Sequence, residues 1–412
     1  MRNSPRVGGR QITGQAMPSF DKLPPETRKI LGSVPDLIEK TFPMPGRFHH
    51  SLPSQIAELS RLLTGERGNR ALSYLSRPNF LSAYLRYFLP WNLHRLCILL
   101  AGLDLPLCAG GTIADLGSGP LTFVSALWIA RPDLRNLPLE FHCIDRCAPA
   151  LEAGKMFFAA LADGENSPWK INLLKEDINV RKKAGVTRKK MDAALVCAVN
   201  LFNEVYEQIP HSDSGGLRRM ADNAAAVMRS YAAQDAFILT VEPGVPQSGH
   251  FISFLRSAFL ELNRPPLSPC PHTAACPCSG REKRWCHFAF ETADAPKELH
   301  RLSAAAGIPK ERLVFSFLLT GKTADHPAPA AKMKEETARI ISDAFPLPGN
   351  RFGRYACCAR GLVLLTGEKS LIEKTASGSL AVPIFAANGQ RDAKSGALLA
   401  ELPAVKKEKK NE

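Results

Sequence analysis

The sequence has no run of about 20 uncharged apolar residues, the length a helix needs to cross a bilayer. Its most apolar region, residues 80–107, is interrupted by Arg86, Pro90, His94, Arg95 and Asp104, so no membrane span is expected and the chain reads as soluble. Behind Arg2, Arg6 and Arg10 there is no apolar segment of the kind a secretory leader requires. Internal repeats are absent, so no repeat architecture is expected. A disulfide framework is missing as well: the 11 cysteines are odd in number and belong to a 412-residue chain long enough to bury a sizeable core. Cys97, Cys108, Cys143, Cys147 and Cys197 stand in apolar or strand-like surroundings, and a reducing compartment such as the cytosol fits them.

Charge balance is also lacking. Fifty-three Lys and Arg oppose 39 Asp and Glu, a formal net charge of +14. Such an excess favours a polyanionic partner, because cations gain affinity by displacing counterions from phosphates, and a structural RNA would suit it. Residues 181–190, RKKAGVTRKK, carry six basic and no acidic side chains, and residues 406–410 form a second basic run. For each, a solvated loop is the equal alternative.

What is present reads as an α/β chain of several units. Residues 1–50 are rich in Pro, Gly and basic residues and are expected to be a flexible segment. Residues 51–107 read as a helical subdomain: Ile56, Leu59, Leu62 and Leu63 recur at helical spacing behind Ser54. The apolar stretch after Pro78 continues that pattern on both sides of Pro90, which should break or kink it. From residue 108 to about 265 strands and helices alternate, the pattern of a parallel sheet. Strands are expected at 112–116, 140–144, 170–175, 193–199 and 236–241, with helices after most of them, the last over 250–262. Residues 266–368 hold a Cys-rich loop and further strands (313–319 and 351–366), with a Pro/Ala linker over 324–331. Residues 369–412 are expected to be a disordered basic tail.

Strand 112–116 runs into a glycine turn, ADLGSGP, and an apolar helix. Gly117 and Gly119 let the backbone approach a ligand, and the helix N-terminus adds free N–H groups. The next strand ends at Asp145, where a carboxylate can accept both ribose hydroxyls of a nucleoside. A dinucleotide loop would place a third glycine where Thr122 stands. The turn instead resembles the first motif of class I S-adenosylmethionine (SAM) methyltransferases, whose sulfonium cofactor carries no phosphate. On that reading Asp115, Gly117, Ser118, Gly119, Asp145, Asp177 and Asn200 are the candidate cofactor-binding residues, all at carboxyl ends of strands, where open parallel sheets form their crevices. Asn203 and Glu204 follow Asn200 and suit either a catalytic role or an ordinary helix start.

Residues 270–288, CPHTAACPCSGREKRWCHF, concentrate four cysteines and two histidines. Clustered Cys and His usually bind metal. Zinc modules pair their cysteines two to four residues apart, whereas Cys270, Cys276 and Cys286 are spaced more loosely, which leans toward an iron–sulfur cluster and leaves zinc open. A [4Fe–4S] cluster needs a fourth thiolate. Cys357 and Cys358, in RYACCARG, are the available late thiols, and in a strand only one of the two can face the loop. Cys278, beside Cys276, is a rival for the second ligand.

Together these stretches resemble the methyltransferase-like proteins associated with the small ribosomal subunit, found in bacteria and in mitochondria. The resemblance rests on YLSRPNFLSAYLRYFLP, ADLGSGP, NLFNE, VEPGVPQSG, PCPH followed by CP and WCHF, FSFLL, and the Cys357-to-Gly361 segment, in that order over residues 74–366. It implies a Rossmann-like SAM-binding domain, a four-cysteine [4Fe–4S] site with Cys270, Cys276, Cys286 and Cys357 as ligands, and contact with small-subunit rRNA during methylation or maturation. His272 and His287 would support the site rather than ligate. The implied location is the cytoplasm in bacteria and the mitochondrion in eukaryotes, with the chain taken as a monomer. No catalytic residue is assigned: an Asn-Pro-Pro-Tyr-like clamp is absent, and Cys197 has no preceding proline. The competing classes are a non-catalytic assembly factor and a zinc-containing RNA-binding protein.

Overall fold

A computed structural model describes residues 20, 23–64, 74–162, 167–180, 190–206, 208–279, 284–321 and 336–403. The basic run at 181–189, the linker at 324–331, the run at 406–410 and the first arginines lie outside the described residues.

The described residues begin with helices. α1 (Pro25–Thr41) starts at Pro25 and buries Thr27, Leu31, Val34 and Ile38, one face at helical spacing. This corrects the expectation of a flexible segment through residue 50. The periodicity is present, but Pro35 inside the helix and the Pro-rich flanks conceal it. α2 (Leu52–Thr64), α3 (Pro78–Ala83) and α4 (Leu89–Gly102) follow. Pro90 does not break the run. It falls in the first turn of α4, and a π turn over Tyr84–Phe88, in which Leu89 N–H bonds Tyr84 O, absorbs the missing donor.

The alternating part runs β1 (Thr112–Leu116), α5 (Thr122–Ala130), β2 (Leu139–Asp145), α6 (Ala148–Leu161), β3 (Trp169–Lys175), β4 (Ala193–Val199), α7 (Asn203–Tyr206), α8 (Ser214–Tyr231), β5 (Ala232–Pro243) and α9 (Pro246–Glu261). Then come β6 (Pro266–Ser268), β7 (Phe288–Glu291), α10 (Lys297–Ala305) and β8 (Arg312–Thr320). The sheet order is β3-β2-β1-β4-β5-β8-β6, with β7 also on β8. The first five strands are parallel and β8 is antiparallel to β5. This is the Rossmann-like α/β sheet expected from the sequence. β4 is buried along almost its whole length, as a parallel strand covered on both faces must be. Chain order reverses between β1 and β4, so a crevice opens at their carboxyl ends.

A second sheet follows, made of β9 (Ala338–Ile340), β10 (Phe345–Leu347), β11 (Arg351–Cys358), β12 (Gly361–Gly367), α11 (Lys369–Lys374) at its side, β13 (Leu380–Ala381), β14 (Ile384–Phe385) and β15 (Leu398–Glu401). Its order is β13-β9-β11-β12-β15-β14, with β10 on β11. Residues 369–403 of the expected disordered tail are therefore ordered. β15 lies parallel to β12, pairing Val363 with Leu398 and Leu365 with Ala400, and buries Leu398 and Ala400. Aromatics are scarce there, but small aliphatic residues fill a strand face equally well. One apolar core runs through both sheets, joining Leu195 and Phe141 to Cys357 and Leu364. Among the described residues no helix is long and apolar enough to cross a membrane.

Candidate functional site

The crevice at the switch point is a cleft of about 240 Å³, lined by Gly117, Asp145, Asp177, Asn200 and Glu204, with Tyr74 and Leu75 from the helical part. A smaller lobe beside it adds Asp115, Ser118, Gly119 and Tyr84. All seven sequence-chosen cofactor residues thus meet in one place. Gly117 and Gly119 both have positive φ (70° and 51°). At Gly119 a Cβ would stand in open space, so a backbone bare of side chain faces the cleft.

The carboxylates differ in what they do. Asp145 accepts from Gly119 N at 2.9 Å through one oxygen and from Cys147 N at 2.8 Å through the other. These bonds pin its orientation and leave a lone pair on each oxygen for hydroxyl donors. Asp115 turns inward. Its oxygens accept from Ser118 Oγ at 2.5 Å and Cys197 Sγ at 3.3 Å, and burial pushes its carboxyl up to about 6. Asp115 therefore shapes the glycine turn rather than presenting a free carboxylate. Asn200 has φ 53°, and its Oδ1 accepts from Arg95 Nη2 at 3.0 Å. A guanidinium can only donate, so this bond fixes the amide and leaves the NH₂ as the group available to the cleft.

Sequence reasoning passed over three groups here. Arg95, buried in α4, was read only as an interruption of an apolar helix. Tyr74 donates to Glu204 Oε1 at 3.0 Å and Arg146 Nη2 to Oε2 at 3.1 Å, which ties the helical part across the cleft mouth. Glu242 at the end of β5 is fully buried. It accepts from Phe202 N (2.9 Å) and Asn203 N (3.0 Å), with the Tyr206 hydroxyl 3.2 Å away, and so caps the start of α7. Burial outweighs those donors and pushes its carboxyl up to about 8. The signals in sequence were a lone Glu ending an apolar strand and its place in VEPGVPQSG.

A second candidate site is built around the Cys-rich loop. The Cys-rich loop leaves the sheet after β6 and returns in β7, both of which pair with β8, so its two ends are anchored on one strand. Trp285 fastens its C-terminal end: the indole donates to Gly244 O at 3.1 Å, and its Cβ lies only 2.6 Å from where a Cβ on Gly249 would stand. Cys270, Cys276, Cys278 and Cys286 from the loop and Cys357 from β11 line one small cleft, together with Ser253, Arg256, Phe317, Arg339 and Ile341. Cys358 faces the other side of β11, in a core with Ala338, Ile340 and Val363. Adjacent strand residues point oppositely, so Cys357 is the late thiol on the loop side.

Burial pushes the thiols of Cys270, Cys286 and Cys357 up. Cys276 is brought down to about 6, chiefly by its hydrogen bond with Cys278, which is itself pushed up. His272 Nε2 lies 3.1 Å from Cys357 Sγ, and burial lowers its imidazole to about 4, a neutral ring beside sulfur. His287 instead stacks on Trp285. Among the described residues no three His, Cys, Asp or Glu are gathered closely enough to hold a single ion.

Residues 109–345 match the family model described as mitochondrial small ribosomal subunit Rsm22. The chain belongs to the Rsm22 family. Among curated proteins none matches it. Solved structures similar to it include a SAM-dependent methyltransferase from Geobacter sulfurreducens with S-adenosyl-L-homocysteine, 12% identical over 64% of this chain and 98% of that one, TM-score 0.31. Another, from Listeria monocytogenes and described as a class I SAM-dependent methyltransferase, is 10% identical over 74% and 89%, TM-score 0.32. Within this Rsm22-family chain the family match leaves out Tyr74, Leu75, Tyr84 and Arg95 of the helical part, which precede residue 109, and β11, which carries Cys357 and begins beyond residue 345.

Proposed function

We propose that this Rsm22-family protein binds SAM in the switch-point cleft and a [4Fe–4S] cluster between Cys270, Cys276, Cys286 and Cys357, and acts on the small ribosomal subunit in rRNA methylation or maturation. The observation that carries the reading is the convergence of Gly119, Asp145, Asp177 and Asn200 on one cleft at the carboxyl ends of β1, β2 and β4. Asp145 would take the ribose hydroxyls, Asp177 the adenine amino group, and the bare backbone at Gly119 the close approach of the cofactor. SAM, when bound, supplies an electrophilic methyl group to a nucleophile held in line. The chain's own contribution would be positioning and exclusion of water. For the cluster, four thiols of one cleft form the donor set, Cys278 supports Cys276 as a hydrogen-bond partner, and zinc is the competing occupant. The protein acts in the cytoplasm of a bacterium or in the mitochondrion of a eukaryote.

A second reading is a maturation factor that binds SAM without turning it over. A specific observation favours it: the groups that could hold or deprotonate an exocyclic amine are committed elsewhere. Asn200 Oδ1 accepts from Arg95, and Glu204 accepts from Tyr74 and Arg146. Incubation with methyl-labelled SAM and stripped small-subunit rRNA separates the two. Label transferred by the wild type and lost in Asp145→Ala supports the enzyme. SAM binding without transfer supports the factor, and no SAM binding overturns both.

A further inference from the structure

The stretches NLFNE and VEPGVPQSG, far apart in the sequence, meet in the fold. The turn from Asn200 to Tyr206 brings Asn200, Leu201 and Glu204 to the wall of the cofactor cleft. Leu201 also packs on the glycine turn, so closely that a Cβ on Gly117 would stand 2.7 Å from its Cδ1. Little regular structure holds this turn: Asn200 has φ 53° and α7 is only 4 residues long. Its hold comes from behind. Glu242, fully buried at the end of β5, accepts from Phe202 N through one oxygen (2.9 Å) and from Asn203 N through the other (3.0 Å). The Tyr206 hydroxyl bridges Glu242 Oε2 at 3.2 Å and Ser248 Oγ at 2.7 Å, and Gln247 Nε2 donates to Ile209 O at 3.0 Å. Glu242, Gln247 and Ser248 of VEPGVPQSG thus clamp the turn from one side, while Arg95 holds Asn200 from the helical part.

We propose that Glu242 is a positioning residue for the cofactor cleft: by holding the N–H groups of Phe202 and Asn203 it keeps the turn that carries Asn200, Leu201 and Glu204 in its ligand-ready place. The inference rests on the SAM reading above and deepens it. The first N–H groups of a helix have no partner within it, and where they are buried they need an acceptor or the backbone must shift to find one. One carboxyl group serves both. It does so in either protonation state, since a neutral carboxyl keeps a lone pair on each oxygen beside its single O–H, which the Tyr206 hydroxyl can accept. Without that group the turn spends part of its time displaced, and the apparent affinity for a ligand falls with the fraction of molecules in which the turn is in place. β5 itself pairs with β4 on one side and β8 on the other, so the sheet does not depend on this carboxyl. Glu242 acts through the turn and not by touching the ligand.

The test is calorimetric titration of S-adenosyl-L-homocysteine into the full-length protein, with thermal melts alongside. Glu242→Gln keeps the shape and one acceptor oxygen but turns an NH₂ toward the other backbone N–H. It should weaken binding about tenfold, the order that one buried N–H without an acceptor implies. Glu242→Leu removes both acceptors and should weaken binding further. Asn200→Gly removes the amide at a position whose positive φ glycine accepts. Combined with Glu242→Gln it should lose much less than the product of the two single losses, because both changes act on one turn. Asp145→Ala, on β2 and held by other donors, should combine with Glu242→Gln nearly multiplicatively. If Glu242→Leu does not fold, Glu242→Gln and its two double variants decide. Glu242 variants that melt lower yet bind as tightly as the wild type reduce Glu242 to a structural cap and overturn this proposal alone, as does a multiplicative loss with Asn200→Gly. Wild-type protein that binds no S-adenosyl-L-homocysteine overturns the cofactor reading as well.

Discussion

Asp115 and Asp145 lie at the carboxyl ends of neighbouring strands, β1 and β2, and carry opposite assignments. Asp145 is held by two backbone donors with its remaining lone pairs toward the cleft, while Asp115 is spent on Ser118 and Cys197. Asp145→Ala should therefore weaken S-adenosyl-L-homocysteine binding by roughly 1.5–3 kcal/mol, the worth of hydrogen bonds to a charged group, with little loss of fold. Asp115→Ala should lower the melting temperature as well, because it unties the glycine turn. Calorimetric titration and thermal melts on both variants check this. Glu242 makes a separate prediction. Its carboxyl rises from 4.5 to about 8 on burial, so the folded chain keeps a proton that the unfolded chain releases. Glu242's contribution to stability is then fully present below about pH 4.5 and is lost as the pH rises through about 8. Denaturant melts across that range should show a shallower fall for Glu242→Gln than for the wild type.

At the scale of elements, the site depends on how the cysteine loop is seated between β6 and β7. Trp285 rests against Gly249 of α9 so closely that any side chain there displaces it. Gly249→Ala should cost about 1–3 kcal/mol, the usual penalty for overpacking, and should free the Trp285 indole from Gly244 O. Equilibrium unfolding and tryptophan fluorescence report the two effects. The sequence revealed elements where one physical signal dominated. β4 was legible because a parallel strand covered on both faces must be apolar throughout, and the turn after β1 because positive φ calls for glycine. α1 was hidden by Pro35, although a proline within a helix costs only what the surrounding packing can absorb. β13 to β15 were hidden because short strands of small residues, which gain their stability from pairing with β9 and β12, look locally like a polar tail.

The candidate site was legible unevenly for the same reason. Residues that must be of one type wherever they occur could be found from the chain alone: the two glycines, the strand-end Asp145, and the clustered cysteines. Those whose meaning comes from a distant partner could not. Arg95 acquires its role only through Asn200, 105 positions away, and Tyr74 through Glu204, 130 positions away. Cys357 was the first choice over Cys358 from the chain alone, and β11 turns Cys357 to the loop and Cys358 away from it.

At the scale of the whole molecule, the cysteine cleft is where the Rossmann-like sheet, the loop and the second sheet meet. A metal centre there would fasten the three, since binding energy at a site formed only in the folded state is folding energy. Cys286→Ser should lose iron and small-subunit co-sedimentation together, whereas Cys278→Ser should keep the iron. The most direct measurement is the iron, acid-labile sulfide and zinc content of the anaerobically purified wild-type chain. About four iron and four sulfide per chain, with a brown colour, is the predicted result. A colourless protein carrying one zinc and no sulfide would contradict it.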